Sequence, residues 1–195
     1  MREIDVQQIT EAVRDMCIKI NHELSDDMKQ ALNGAEASEK SPLGKKILGQ
    51  LQENLQIAES EMIPICQDTG MAVLFFEIGQ DVHLVGGDFT DAVNEGVRQG
   101  YTEGYLRKSV VSDPLIRENT KDNTPAVIHT SIVPGEQVKI TLAPKGFGSE
   151  NILFSIRSDC FCKPTFKVSK QIKAVNILFQ AFQLDWIGAW RVSLP

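Results

Sequence analysis

No run of basic residues occurs anywhere in these 195 residues, and the formal net charge is −6 with an isoelectric point near 5.1. Nothing is therefore available to neutralise a row of phosphates, which argues against a nucleic-acid role. No uninterrupted apolar run approaches the roughly 20 residues that span a bilayer. The start, Met1-Arg2-Glu3-Ile4-Asp5, has no apolar h-region, so no signal peptide is expected and a cytoplasmic location is. Cysteine is scarce: Cys17, Cys66, Cys160 and Cys162 are the four thiols. Without an export signal they read as free thiols or metal ligands rather than a disulfide framework. Walker A and GxGxxG loops are both missing. What remains, at 42% hydrophobic, is enough to bury one core, in one domain with room for an appendage.

The first half reads mainly as helices. Asp5 with Gln8 has the spacing of a capping box, and Ile9, Val13, Met16, Cys17 and Ile20 then recur at helical period. Cys17 lies on that stripe and is expected to be core packing. A second helix is expected from Ser25 to Leu32, ending at Asn33-Gly34, with Gly34 to Lys40 as an exposed connection. Ser41-Pro42 starts a third, with Ile47, Leu48, Leu51 and Leu55 on its buried face. Met71 to Ile78 is a continuous apolar run closed by Gly79 and predicts a buried strand. Val82 to Val85 is expected to pair back on it across Gly79-Gln80-Asp81.

Thr90 to Leu106 predicts another helix, with Ala92, Val93, Val97 and Tyr101 inward. Arg107 to Thr124 is polar and aperiodic, a length of loop that is functional or mobile when it occurs in a compact domain. Ala126 to Val133 forms a strand around His129, Pro134-Gly135 turns, and Val138, Ile140 and Leu142 alternate inward on the return. The expected fold class is α+β, with N-terminal helices packed on a small, largely antiparallel sheet.

Chemistry concentrates in a few places. Pro64-Ile65-Cys66-Gln67-Asp68-Thr69-Gly70 lies between a helix pattern and a strand pattern, so its thiol is held from both sides. A thiolate there binds a soft metal or attacks a carbon, and the carboxylate two residues on can move a proton. Lys145-Gly146-Phe147-Gly148-Ser149 is either a simple turn or a cradle of N–H groups for an anion. Arg107-Lys108 either offsets a helix dipole or forms a fork for a carboxylate. His129 reads as a strand-face residue before a ligand, and His22 and His83 carry no pattern. Cys160-Phe161-Cys162 has no further Cys or His at zinc spacing, a weak signal for metal.

Taken together, Cys66-Gln67-Asp68-Thr69-Gly70, the run Gly104 to Val111, Asp113-Pro114-Leu115, Asn119-Thr120, Asp122-Asn123-Thr124-Pro125-Ala126 and Lys145 to Asn151 resemble the iron–sulfur hydro-lyases. The similarity is closest to the alpha subunit, or N-terminal region, of class I fumarate hydratase and L-tartrate dehydratase, over roughly residues 3–151. The resemblance implies reversible hydration of a C4 dicarboxylic acid, fumarate/malate or tartrate. It implies a 4Fe–4S cluster held by three cysteines with one iron open to substrate, and a beta-type partner. Carried over by motif, Cys66 is a cluster ligand, Gln67 and Asp68 contact substrate with Asp68 as acid/base, Arg107 binds a carboxylate, and Gly146 offers a backbone contact. Phe147 stands where the family more usually has glycine.

The motifs stop at Asn151. Residues 152–195 carry a net charge of +4 against −10 for the first 151, and hold seven of the thirteen aromatics. Such a break is expected from a shifted reading frame or from a divergent C-terminus; resequencing the encoding DNA separates the two. Cys160 and Cys162 lie outside the family's cysteine context. One matched ligand cannot hold a cluster alone, so the isolated chain is expected to be inactive.

Overall fold

The computed structural model describes residues 1–146 and 190–194. The readings that rest on residues 147–189 and on Pro195 lie outside these described residues.

Strand β1 (Arg2–Asp5) runs straight into helix α1 (Val6–His22), and the Asp5 carboxylate accepts the Gln7 N–H at 2.8 Å, capping the helix as its position predicts. Helix α2 spans Asp26–Ser38 and α3 spans Pro42–Glu61, the latter capped by Ser41 with proline in its first turn. Strands β2 (Met71–Gly79) and β3 (Val82–Val85) precede α4 (Phe89–Glu103). After a long connection come β4 (Val127–Val133) and β5 (Val138–Lys145), and β6 (Trp190–Leu194) closes the described chain.

The main sheet has the order β4-β2-β5-β6, parallel at β2–β4 and antiparallel at β2–β5 and β5–β6. The α+β class is as expected, and the sheet is mixed. Its inner face carries Ala72, Leu74 and Phe76 of β2 beside Val138, Ile140 and Leu142 of β5, every second residue as the alternation requires. Against them lie Ile9, Val13, Met16, Cys17 and Ile20 of α1 and Val93, Val97 and Tyr101 of α4. Leu194 of β6 joins this core, so part of the compositionally distinct tail is built into the sheet.

Several expectations need correction. β3 does not pair with β2; it pairs in parallel with β1, Arg2 opposite Val82 through Asp5 opposite Val85. The reason is that both edges of β2 are taken, by β4 and β5. The Pro134-Gly135 connection accordingly wraps the end of β2 instead of joining neighbouring strands. Gly79 N–H donates to the Gln137 carbonyl, Gln80 N–H to Val133 and Asp81 N–H to Gly135. Helix α2 continues through Asn33-Gly34 to Ser38, because Ala35, Glu36 and Ala37 are good helix formers and one glycine costs only about 1 kcal/mol. On α3 only Leu48 and Ala58 are fully buried; Leu51 and Leu55 are half-buried and Ile47 is exposed. That helix meets the rest of the molecule along a narrow stripe, against α2 and α1. Helix α4 ends at Glu103 with Gly104 as cap, which leaves Arg107 outside the helix and removes the dipole explanation for it.

Helices α1 and α4 approach closely because α4 presents glycines to α1. A Cβ at Gly96 would lie 2.6 Å from the Thr10 carbonyl oxygen, and one at Gly100 would lie 2.7 Å from the Cys17 Cβ. The same proximity lets the Thr10 hydroxyl donate across the interface to the Ala92 carbonyl at 2.9 Å. Gly96→Ala is therefore expected to destabilise the fold by about 1–3 kcal/mol through overpacking. Gly34→Ala, where nothing lies within 4 Å, should be neutral or slightly stabilising. Urea midpoints of the two variants check this, and equal midpoints would contradict the packing account.

Candidate active site

The Cys66 loop is anchored before it begins. Helix α3 ends on Met62 in the left-handed region (φ 53°), and Ile63 N–H bonds back to Ala58. Ile65 is then pinned twice: its N–H donates to the Asn21 carbonyl at 2.8 Å, and its carbonyl accepts from Asn54 Nδ2 at 3.0 Å. Cys66 follows, exposed, with Asp68 N–H directed at its Sγ at 3.5 Å. Gln67 is exposed and Asp68 half-buried, whereas Thr69 and Gly70 are buried. The loop thus dips from an open thiol to a closed backbone within four residues.

Three other segments meet it there. The Thr69 hydroxyl donates to the Arg107 carbonyl at 3.0 Å, and the Tyr101 hydroxyl donates to the Thr69 carbonyl at 2.9 Å. Burial pushes the Tyr101 phenol well up, with the Asp68 carboxylate adding to it, so it stays a neutral donor. The Gly70 carbonyl accepts from Asn123 Nδ2 at 3.0 Å. On its other side Asn123 Oδ1 accepts from Ser109 N–H at 2.7 Å and Val110 N–H at 3.1 Å. Asn123 is itself 0% exposed. Finally Gly70, at φ +61°, lies so close to the end of β5 that a Cβ would sit 2.2 Å from the Lys145 carbonyl oxygen and 2.8 Å from Gly146 N. Only glycine satisfies both the dihedral and the space.

The polar stretch after Arg107 is ordered by its own hydrogen bonds. Val111 bridges Asn119, Ser112 N–H donates to Glu118, and Thr120 N–H donates to Val110. Asp113 accepts from the N–H groups of Leu115 and Ile116, which hold its carboxyl below the usual range, and Asn119 Nδ2 donates to the Lys108 carbonyl at 2.9 Å. Beside Asn123, burial pushes Asp122 up, yet hydrogen bonds from the Thr124 N–H and the Thr124 and Thr120 hydroxyls outweigh it and lower its pKa.

The structure therefore brings the Cys66 loop, Arg107 and Gly146 to one place. Arg107 is exposed beyond the end of α4, and Gly146 is half-buried beside Gly70. Phe147, Cys160 and Cys162 lie outside the described residues. His129 is an exposed strand residue, stacked on Phe75 with centroids 4.9 Å apart. His22, which showed no pattern, is buried at 1% exposure with Nδ1 against the Ile18 carbonyl at 2.6 Å. Sequence reasoning passed over the roles of Asn123, Thr69 and Tyr101. The motifs around Asn123 and Thr69 were visible, but a buried amide is indistinguishable from a loop amide until its partners are known.

As a thiolate ligand, Cys66 is suited: it is accessible, anchored, and has a backbone N–H aimed at sulfur, an arrangement common around cluster sulfurs. Cys17 is not, since burial raises its thiol far above the usual value and it lies in the core. Among the described residues no group of three His, Cys, Asp or Glu side chains is placed to hold a metal ion, and no helix is long and apolar enough to cross a membrane. Of the two described thiols, Cys66 thus has the access that a metal ligand needs, and the described residues complete no metal site.

The model of the fumarate hydratase (Fumerase) family matches residues 10–176. The chain belongs to the fumarate hydratase family. A putative L(+)-tartrate dehydratase subunit alpha from Methanocaldococcus jannaschii is 36% identical over 135 residues, 66% of this chain and 47% of that protein. The anaerobic class I fumarate hydratase of Escherichia coli is 37% identical over 122 residues, 62% of this chain and 22% of that enzyme. The aerobic class I fumarate hydratase of the same organism is 34% identical over 143 residues, 72% of this chain and 25% of that enzyme. The chain thus spans about half the length of the tartrate dehydratase relative and about a quarter of these fumarate hydratases. The family match continues past Asn151, through the first part of the basic, aromatic tail.

The depressed pKa of Asp122 gives a pH dependence with a definite sign. Its folded pKa lies below the unfolded value of about 3.9, so its stabilisation is present above that value and is lost as pH falls through the folded pKa. Asp122→Asn is expected to lower the urea midpoint at pH 7, and the gap to wild type should close as the pH drops below about 4. A gap of constant size across that range would contradict the assignment.

Proposed function

We propose that this chain is the alpha-type part of a hydro-lyase that reversibly removes water from a C4 hydroxydicarboxylic acid, malate to fumarate, working with a beta-type partner. The observation that carries the reading is the meeting of the Cys66 loop, Arg107 and the Lys145-Gly146 strand end around buried Thr69, Gly70 and Asn123. The family supports the reaction class, and the relative named as an alpha subunit supports a partner. A second reading, dehydration of L-tartrate, is favoured by that same relative, which aligns over a larger share of its own length than the fumarate hydratases do. A third, a non-catalytic fragment, draws on the single exposed thiol among the described residues.

In the proposed site Cys66 is one of the ligands of a 4Fe–4S cluster whose remaining cysteines come from outside the described residues. When bound, that cluster supplies a Lewis acid for the departing hydroxyl. The protein's own groups do the rest. Arg107, planar and permanently charged, binds a substrate carboxylate through paired N–H donors. Gly146, without a side chain, lets backbone approach the other end of the anion. Gln67, exposed on the loop, hydrogen-bonds substrate oxygen. Asp68 takes the proton from the carbon next to the hydroxyl-bearing one and returns it in the hydration direction. The C–H and C–O electron pairs are thereby exchanged for a C=C bond, one proton and one hydroxide.

Anaerobic reconstitution of the chain, together with a beta-type partner, with iron and sulfide tests the reading. A brown protein that interconverts malate and fumarate is expected, and a colourless, inactive complex would leave the fragment reading standing. Cys66→Ser should abolish cluster loading while preserving the helical circular dichroism. Asp68→Asn should keep the cluster and lower kcat by about 10²- to 10⁴-fold. Arg107→Gln should mainly raise KM, by roughly 10- to 100-fold for a lost charge-assisted contact. Unchanged turnover in Asp68→Asn would remove its acid/base role.

A further inference from the structure

We infer that Thr69 and Asn123 are positioning residues: two buried clamps that hold the Arg107 segment opposite the Cys66 loop and so set where the anion sits. The inference rests on the reading that these two segments form one anion site. The geometry supplies two independent ties between the same pair of segments. One is direct, from the Thr69 hydroxyl to the Arg107 carbonyl at 3.0 Å. The other runs through a third segment: Asn123 donates to the Gly70 carbonyl at 3.0 Å while accepting the N–H groups of Ser109 and Val110 at 2.7 and 3.1 Å. Tyr101 braces the first tie from beneath by donating to the Thr69 carbonyl at 2.9 Å.

Neither clamp side chain faces solvent, at 3% exposure for Thr69 and 0% for Asn123, so neither is available to touch substrate. Both instead act on backbone immediately beside the residues that do. Thr69 adjoins Asp68 and bonds the carbonyl of Arg107 itself. Asn123 bonds the residue after Thr69 and the second and third residues after Arg107. An amide is the only side chain that can donate to a carbonyl with one end while accepting two N–H groups with the other at neutral pH. Its buried ends are satisfied only when both segments are in place, so the loop and the arginine segment are held as one unit.

Cys66 provides a probe that needs neither cluster nor turnover. Alkylation of Cys66 in the full chain by iodoacetate and by iodoacetamide, quantified on the Cys66 peptide by mass spectrometry, gives a ratio of anionic to neutral reagent. A fixed Arg107 charge nearby raises that ratio, by roughly threefold at low ionic strength for charges several ångströms apart. Arg107→Gln should lower it by that factor. Thr69→Val and Asn123→Ala should lower it toward the Arg107→Gln value, and Thr69→Ser, which keeps the hydroxyl, should restore it. Where Asn123→Ala fails to fold, Thr69→Val and Thr69→Ser decide. If Arg107→Gln shifts the ratio but the clamp variants leave it at the wild-type value, or change both reagents equally, the positioning role is overturned. If Arg107→Gln itself has no effect, the shared anion site fails and the clamps' role fails with it.

Discussion

One buried carboxamide organises the site. Asn123 sits at 0% exposure with its donor on Gly70 and its acceptor on Ser109 and Val110. The Gly70 carbonyl and the Val110 N–H belong to buried residues and would otherwise lack this partner, at a cost of about 1–3 kcal/mol apiece. Asn123 is in the left-handed region, φ 66°, which asparagine tolerates better than most residues. Its flanking Asp122 is locked by the Thr124 N–H and hydroxyl. Local turn chemistry therefore presents the amide, and the amide reaches a carbonyl 53 positions away to join the Gly70 and Ser109–Val110 segments.

The scaffold under this junction follows from ordinary patterning. The inner face of β2 and β5 meets the apolar stripes of α1 and α4, and close approach of those helices at Gly96 and Gly100 places Tyr101 beneath Thr69. The rigid layer thus ends at the base of the loop, and the loop rises from it to an exposed thiol. The buried contacts reside in Tyr101, Thr69, Gly70 and Asn123; the chemistry proposed for Asp68, Cys66 and Arg107 lies outside them, on half-buried or exposed residues. This separation lets reactive groups stay open to substrate without surrendering their position.

Much of this was legible in the sequence where a signal is local. The α1 stripe, the Ser41-Pro42 helix start, the apolar run of β2 and the alternation of Val138, Ile140 and Leu142 each carry their own period or cap, and the structure has them. Pairing partners were not legible. β3 went to β1 because β2 had no free edge, a fact about strands distant in sequence. The Asn33-Gly34 stop failed because a glycine followed by helix formers is only a weak breaker. For the site, the motifs marked which segments matter, but the bond from Thr69 to Arg107 and the three bonds of Asn123 are long-range and leave no periodic trace.

In the proposed site Cys66 holds iron beside Arg107 and Asp68. An iron-edge anomalous difference map of the chain, reconstituted anaerobically with iron, sulfide and a beta-type partner, tests it most directly. A cluster peak is expected within bonding distance of Cys66 Sγ, on the side of the loop that faces Arg107. A cluster bound elsewhere with Cys66 free, or at Cys66 but facing away from Arg107, would contradict it.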